Sequence, residues 1–145
     1  MKFLLDTNVV SEWVKPRPSE RVIKWLDGIA EDDVFLSAVT LIELRCGVEL
    51  LAAGARRTKL DQWTQDELPN RFEGRIVVVD TLVADVCGKL LARRKKSGRP
   101  VGAMDAIIAA TADVHGFTVA TRNVDDFDFM SNRVVDPWTV STLPE

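Results

Sequence analysis

The sequence predicts an α/β protein in which a central parallel sheet of four to five strands is covered by helices on both faces, a three-layer α/β/α arrangement. Three observations predict it. The strand-like segments are short continuous apolar runs, as expected where both faces of a sheet are buried. Longer stretches of helical periodicity separate them, the pattern of strand–helix–strand units. Four acidic residues, Asp6, Glu43, Asp105 and Asp126, border four different apolar segments, and in an open parallel sheet such borders gather at the carboxyl ends of the strands.

The elements follow in order. Lys2 to Leu5 reads as a buried first strand. Thr7 to Val14 reads as a short helix closed by Pro16 and Pro18. Ser19 caps a helix that carries Val22, Ile23, Trp25, Leu26 and Ile29. Val34 to Ser37 is a second strand. Val39 to Ala53 is helical, with Leu41, Leu44, Val48 and Leu51 on one face, and Gly54 breaks it. Arg56 to Leu68 is a weaker helix that Pro69-Asn70 ends. Ile76-Val77-Val78-Val79 is the clearest strand, β-branched throughout and bounded by Gly74 and Asp80. Leu82 to Lys96 is helical, and Ser97 to Pro100 is a loop. Ala103 to His115 is a strongly apolar helix that stops at Gly116, a C-cap residue. Phe117 to Ala120 is a fourth strand, and Val134-Val135 is a short fifth before Asp136-Pro137.

Composition bounds the function. The chain has 145 residues, enough for one domain over 1–145 with a real core. Its net charge of -3 argues against a protein that wraps nucleic acid over a broad basic surface. That charge still permits a nuclease whose acidic pocket is neutralised locally by metal. Cys46 and Cys87 are too few for a disulfide scaffold, and both are expected as buried reduced thiols, which suits the cytoplasm. The N-terminal apolar run stops at Asp6, too short for a signal peptide or a membrane span.

Carboxylates that meet at one sheet edge repel one another unless a cation joins them. Mg²⁺ and Mn²⁺ prefer such oxygen ligands. The chain therefore reads as a metal-dependent enzyme acting on a phosphate ester. Asp6 at a strand end also suits an N-cap, a role compatible with metal binding. Glu43 in an apolar stretch is costly to bury unless paired or metal-bound, and Asp105 in a first helical turn favours the helix dipole. Thr7, Asn8, Ser11, Ser37, Thr40 and Thr121 lie beside the acids, with capping an equal expectation for Ser37 and Thr40. Arg93 to Lys96, with Arg99, is the one basic run. It closes a helix, and RNA-backbone contact is its second reading. The lone His115 reads as surface or cap. Trp25 and Trp138 read as packing residues, Trp13 and Trp63 as partly exposed ones at a partner surface.

Four motifs carry a family resemblance: Leu4-Leu5-Asp6-Thr7-Asn8, Leu41-Ile42-Glu43-Leu44, Met104-Asp105-Ala106 through Ala112, and Ala120-Thr121-Arg122-Asn123. In this order and at these separations the chain resembles PIN-domain ribonucleases, in particular the VapC/FitB-type toxins of toxin–antitoxin pairs. The resemblance implies an endoribonuclease supported by Mg²⁺ or Mn²⁺, with Asp6 and Asp105 as chief ligands and Glu43 assisting directly or through water. An ion there lowers the pKa of a water and offsets transition-state charge. Thr7, Asn8, Thr121 and Asn123 would position substrate or water. Asp126 is the preferred fourth acid; Asn123 stands where some relatives carry it, Asp125 is the neighbouring candidate, and an Asp125-Asp126 turn in solvent is the plainer reading. An RNA substrate, a homodimer and a cognate antitoxin tail lying over the cleft are further implications.

Other readings compete. A housekeeping nuclease of the same type keeps the chemistry without the toxin role. A phospho-acceptor receiver domain wants paired acids after the first strand and a late Lys, where this chain has Asp6 alone and Thr121-Arg122, although Asp80 follows a strand. A haloacid-dehalogenase-like phosphatase wants Asp where Asn8 stands. A non-catalytic binding module has no need of Asp6, Glu43 and Asp105.

Overall fold

In the computed structural model, residues 1–130 and 133–140 are described. Five strands, β1 (Phe3–Leu5), β2 (Val34–Ser37), β3 (Ile76–Val77), β4 (Thr118–Ala120) and β5 (Val134–Val135), form one sheet in the order β3-β2-β1-β4-β5. Every pairing is parallel. After β1 the chain builds outward on one side, through β2 to β3, then returns to the other side of β1 for β4 and β5. The reversal falls between β1 and β4, the place where open α/β sheets leave a crevice beyond the strand ends.

Alternation along the strands sends side chains into two cores. Leu4 and Val119 join Val83, Cys87, Leu90 and Ile108 on one face. That face is covered by α6 (Thr81–Lys96) and α7 (Ala103–His115). Phe3, Leu5, Leu36 and Ala120 join Val9, Val22, Trp25 and Phe72 on the other. There the cover includes α1 (Thr7–Val10), α2 (Glu20–Asp27) and α5 (Leu68–Arg71). Trp25 meets Phe3 edge to face at 5.0 Å between ring centroids. Helix α3 (Ala38–Glu49) follows β2 directly and leads to α4 (Ala55–Gln62).

The caps are those the sequence announces. Ser19 Oγ accepts from the Val22 amide at 3.4 Å, and Ser37 Oγ accepts from the Val39 amide at 3.1 Å. Gly116 closes α7 with φ of 73°, a conformation glycine adopts without a Cβ penalty.

Several expectations need correction. Only Ile76 and Val77 of the β-branched run are in a strand, and Val78 and Val79 are exposed. The register explains it: Ser37 pairs with Val77, and the next residue of the neighbouring chain segment already begins α3, so Val78 has no strand to pair with. Helix α3 ends at Glu49, short of Ala53; Arg57 binds the Leu51 carbonyl and the Glu49 carboxylate and folds α4 back over that end. Pro69 does not stop the next helix, which passes through a π-helical stretch at Trp63–Glu67 and continues to Arg71. A proline lacks the N–H and crowds the carbonyl four residues earlier; the wider turn makes room, and Pro69 sits at the start of α5. Cys46 is exposed, one turn after the exposed Ile42, because the inward face of α3 is the Leu41-Leu44-Val48 face. Cys87 is buried, and burial raises its thiol pKa.

Candidate active site

Asp6 leaves β1 at the switch point. Its amide donates to the Ala120 carbonyl of β4 at 2.9 Å, which fixes the strand end against its neighbour. The carboxylate is buried, with 6% of its surface exposed. Oδ1 caps α1 by accepting from the Thr7 amide at 2.8 Å, and Oδ2 accepts from the Thr121 hydroxyl at 2.8 Å. Burial raises its pKa; the Thr121 and Thr7 hydrogen bonds work against that, and the Asp126 charge works with it.

Thr121 is the hub of this end of the sheet. Its buried hydroxyl, while donating to Asp6, accepts from Asn8 Nδ2 at 3.4 Å and from the Asn123 amide at 3.0 Å. Asn8 Oδ1 in turn accepts from the Arg122 amide at 3.2 Å. The loop after β4 is thereby pinned to α1 by side chains, and Asn8 is spent on that clamp. Thr7 donates its hydroxyl to Glu43 Oε1 at 2.8 Å. Thr7, Asn8 and Thr121 therefore orient acids and loops, and Asn123 contributes its backbone amide while its side chain is exposed.

Asp105 occupies the first turn of α7 and Glu43 the second turn of α3. Asp105 is half-buried, and Glu43 lines the open rim beside it. The Asp105 carboxyl is pushed up to about 6, first by burial and then by the charges of Asp6, Asp126 and Glu43. The charges of Asp6, Glu43 and Asp126 therefore all reach Asp105, and that of Asp126 reaches Asp6 as well. Asp126 takes part, exposed in the 3₁₀ segment Val124–Met130, with its amide bound to the Asn123 carbonyl at 3.0 Å; Asp125 is not among the charges felt by Asp6 or Asp105. Asp80 caps α6 through the Val83 amide at 2.9 Å and is not among the charges felt by Asp6 or Asp105.

The donor set decides whether a hard divalent ion suits these residues. Carboxylate and hydroxyl oxygens are its preferred ligands, and the mutual repulsion raising Asp105 is the charge that an ion offsets. Among the described residues, no three or more His, Cys, Asp or Glu side chains are grouped so as to hold a metal ion, so the fit rests on the oxygen chemistry of the acids alone.

Two supporting features escape the motif reading. Glu12 is buried at 3% exposure, accepting from the Ser19 amide at 2.9 Å and pairing with Lys15 at 2.5 Å. Burial pushes its pKa up, but Lys15, the Ser19 amide and Arg122 outweigh that and hold it low. The signal was its helical spacing from Val9, which places it on the inward stripe. Second, Asp128 pairs with Arg99 at 2.7 Å and Arg94 at 3.6 Å, while Arg94 lies over Phe129 at 4.7 Å. The basic run thus braces the segment that carries Asp126. His115 is exposed and stacks on Phe117.

A parallel sheet in this order, with acids from four segments at its switch point, defines the class: residues 3–130 match the PIN domain, and the chain belongs to that family. Among particular relatives, the chain is 42% identical over 135 residues to Toxin FitB of Neisseria gonorrhoeae, covering 93% of this chain and 97% of that protein. It is 38% identical to VapC ribonuclease Y4jK of Sinorhizobium fredii, over 93% of this chain and 96% of the relative. The crystal structure of FitAcB from Neisseria gonorrhoeae superposes with a TM-score of 0.88 at 41% identity, over 95% of this chain and 99% of that one.

Proposed function

We propose that the protein is an endoribonuclease toxin that hydrolyses RNA phosphodiester bonds with the help of Mg²⁺ or Mn²⁺. The observation that carries this reading is the meeting of Asp6, Glu43, Asp105 and Asp126 on one rim, where the Asp105 carboxyl feels the other three. The FitB and VapC names of relatives that match nearly end to end support it.

Asp6 and Asp105 would hold the ion, with Glu43 assisting. When bound, the ion supplies charge neutralisation at the phosphate and a more acidic water. Thr121 and the Thr7 amide keep Asp6 in place. Thr7 keeps Glu43 turned toward α1. Asp126 adds negative charge at the open side of the rim, where it can accept a proton from water or substrate, and Asn123 stands beside it. The biological setting is the cytoplasm, with the chain acting as a homodimer restrained by a cognate antitoxin. Among the described residues no helix is long and apolar enough to cross a membrane.

The test is cleavage of a long single-stranded transcript in Mn²⁺. Asp6→Asn and Asp105→Asn each lower the rate by at least about a hundredfold while circular dichroism shows the fold unchanged; full activity in either purified variant overturns the mechanism. For the toxin role, expression arrests growth and co-expression of the adjacent gene product relieves it. Normal growth with abundant soluble protein points instead to a housekeeping nuclease.

A further inference from the structure

Two cavities of about 370 and 630 Å³ share Val14, Lys15, Arg56, Leu60 and Trp63, so they form one trough. Its inner end is walled mainly by apolar side chains, Leu44, Val48 and Leu51 among them, and touches the acid rim at Thr7 and Glu43. Its outer end is lined by Lys59, Arg71 and Glu67. Four cations, Lys15, Arg56, Lys59 and Arg71, thus face one acid in the outer part of a chain whose net charge is -3.

The helix beneath the trough explains the sorting. Arg56, Lys59, Leu60 and Trp63 follow helical spacing along α4 and its continuation, and share one face. Arg57 points its charge elsewhere, to Glu49 at 2.7 Å, and Arg45 is likewise tied to Glu49 and Asp61. Among the described residues Arg56 and Lys59 form no ion pair. Lys15 is held by Glu12, and Arg71 lies over Trp13 at 4.1 Å. Trp63 is half-buried and takes no part in those cation stacks.

We propose that this trough is the track for the single-stranded RNA flanking the bond to be cut. Arg56 and Lys59 contact its phosphates, and a base stacks on Trp63. Cations alternating with an aromatic platform are what an unpaired strand requires, since every nucleotide brings one negative charge and one flat apolar face. The trough meets the acid cluster at Thr7 and Glu43, and a strand held at the acids would enter it there. The inference rests on the nuclease reading above and adds the place and residues of substrate binding.

The experiment uses a fluorescein-labelled single-stranded RNA of about 20 nucleotides and mixed sequence, in chelator, with anisotropy followed from about 50 to 300 mM salt. Loss of two phosphate contacts in Arg56→Ala/Lys59→Ala lowers the log–log salt slope by about 1.4 and weakens low-salt binding by about tenfold or more. Trp63→Leu weakens binding about fivefold or more with its salt slope unchanged. Mn²⁺ affinity stays near wild type in all variants, and the melting temperature stays near wild type in the double variant; Trp63 also packs against the core, so Trp63→Leu is compared with wild type only at a temperature where circular dichroism shows both folded. An unchanged slope and affinity in the double variant overturns the proposal. So does loss of an acidic peptide's binding with RNA binding intact, which makes the trough a protein-docking groove. Wild-type cleavage of a long transcript in Mn²⁺ is run alongside: no cleavage removes the nuclease reading and this one with it, whereas cleavage with unaltered RNA binding in the variants removes the track alone.

Discussion

Asp105 carries a conflict that the protein alone leaves unresolved. Its carboxyl titrates near 6 in the folded chain against 3.8 ordinarily, through burial and three neighbouring acids. The folded pKa is the higher, so Asp105 favours folding fully below about pH 3.8, and that contribution is lost as pH rises through about 6. Near neutral pH the metal-free protein therefore bears the strain of an ionised Asp105. Asp105→Asn relieves it and raises metal-free stability at about pH 7.5 by on the order of 1–2 kcal/mol, discounted for partial exposure. The gain shrinks toward zero at about pH 4, and urea unfolding at the two pH values measures both. A variant that is no more stable at pH 7.5 shows that solvent already screens the cluster. Asp6 differs, because its burial is answered by two hydrogen bonds; removing the Thr121 hydroxyl would leave a buried oxygen with nothing to accept from.

Elements show where local pattern decides and where partners do. The run Ile76 to Val79 has uniform strand propensity, yet β3 stops at Val77 because β2 offers no residue beyond Ser37. Val78 is 64% exposed, so Val78→Thr changes stability by no more than about 0.5 kcal/mol. Phe72, fully buried in the core beneath β2 and β1, costs about 3–5 kcal/mol as Phe72→Ala. Denaturant titration of both separates the edge from the core, and a large loss at Val78 contradicts this account of the edge. The same contrast explains how much was legible. Asp6, Glu43 and Asp105 stand out because each ends or interrupts an apolar pattern, and a parallel sheet gathers such borders at one rim. Ser19, Ser37 and Gly116 announce their caps by residue type. The end of α3, the π stretch before Pro69 and the exposure of Cys46 depend on Arg57, the proline's neighbours and helix rotation, none of which propensity encodes. Glu12 and the Arg94–Arg99–Asp128 brace escape for a related reason: their partners are set by tertiary approach, and each charge alone reads as solvated surface.

At the scale of the molecule, charge and topology are coupled. At the switch point between β1 and β4 the polar contacts of Asp6, Thr121 and Asn8 sit on fully buried Leu5, Val9 and Ala120, so the residues that position the acids are also those on which the repulsion of the acids acts. An ion that binds only the folded chain adds stability of RT ln(1 + [L]/Kd), about 2.7 kcal/mol at a hundredfold excess over Kd. For a domain of this size that is about 5–10 °C in melting temperature. Protons compete for the same carboxylates, and Asp105 takes one as pH falls through about 6. At one fixed Mn²⁺ concentration, about a hundredfold above the Kd at pH 7.5, the rise is therefore expected in full at that pH and cut by about half at about pH 5. Asp6→Asn and Asp105→Asn abolish the rise at both pH values, whereas Asp80→Asn, which alters only the cap of α6, retains it from its own lower baseline. Scanning calorimetry of the four proteins reads this directly. A rise that survives in Asp105→Asn, or that Asp80→Asn removes, places the ion somewhere other than the rim of β1 and β4.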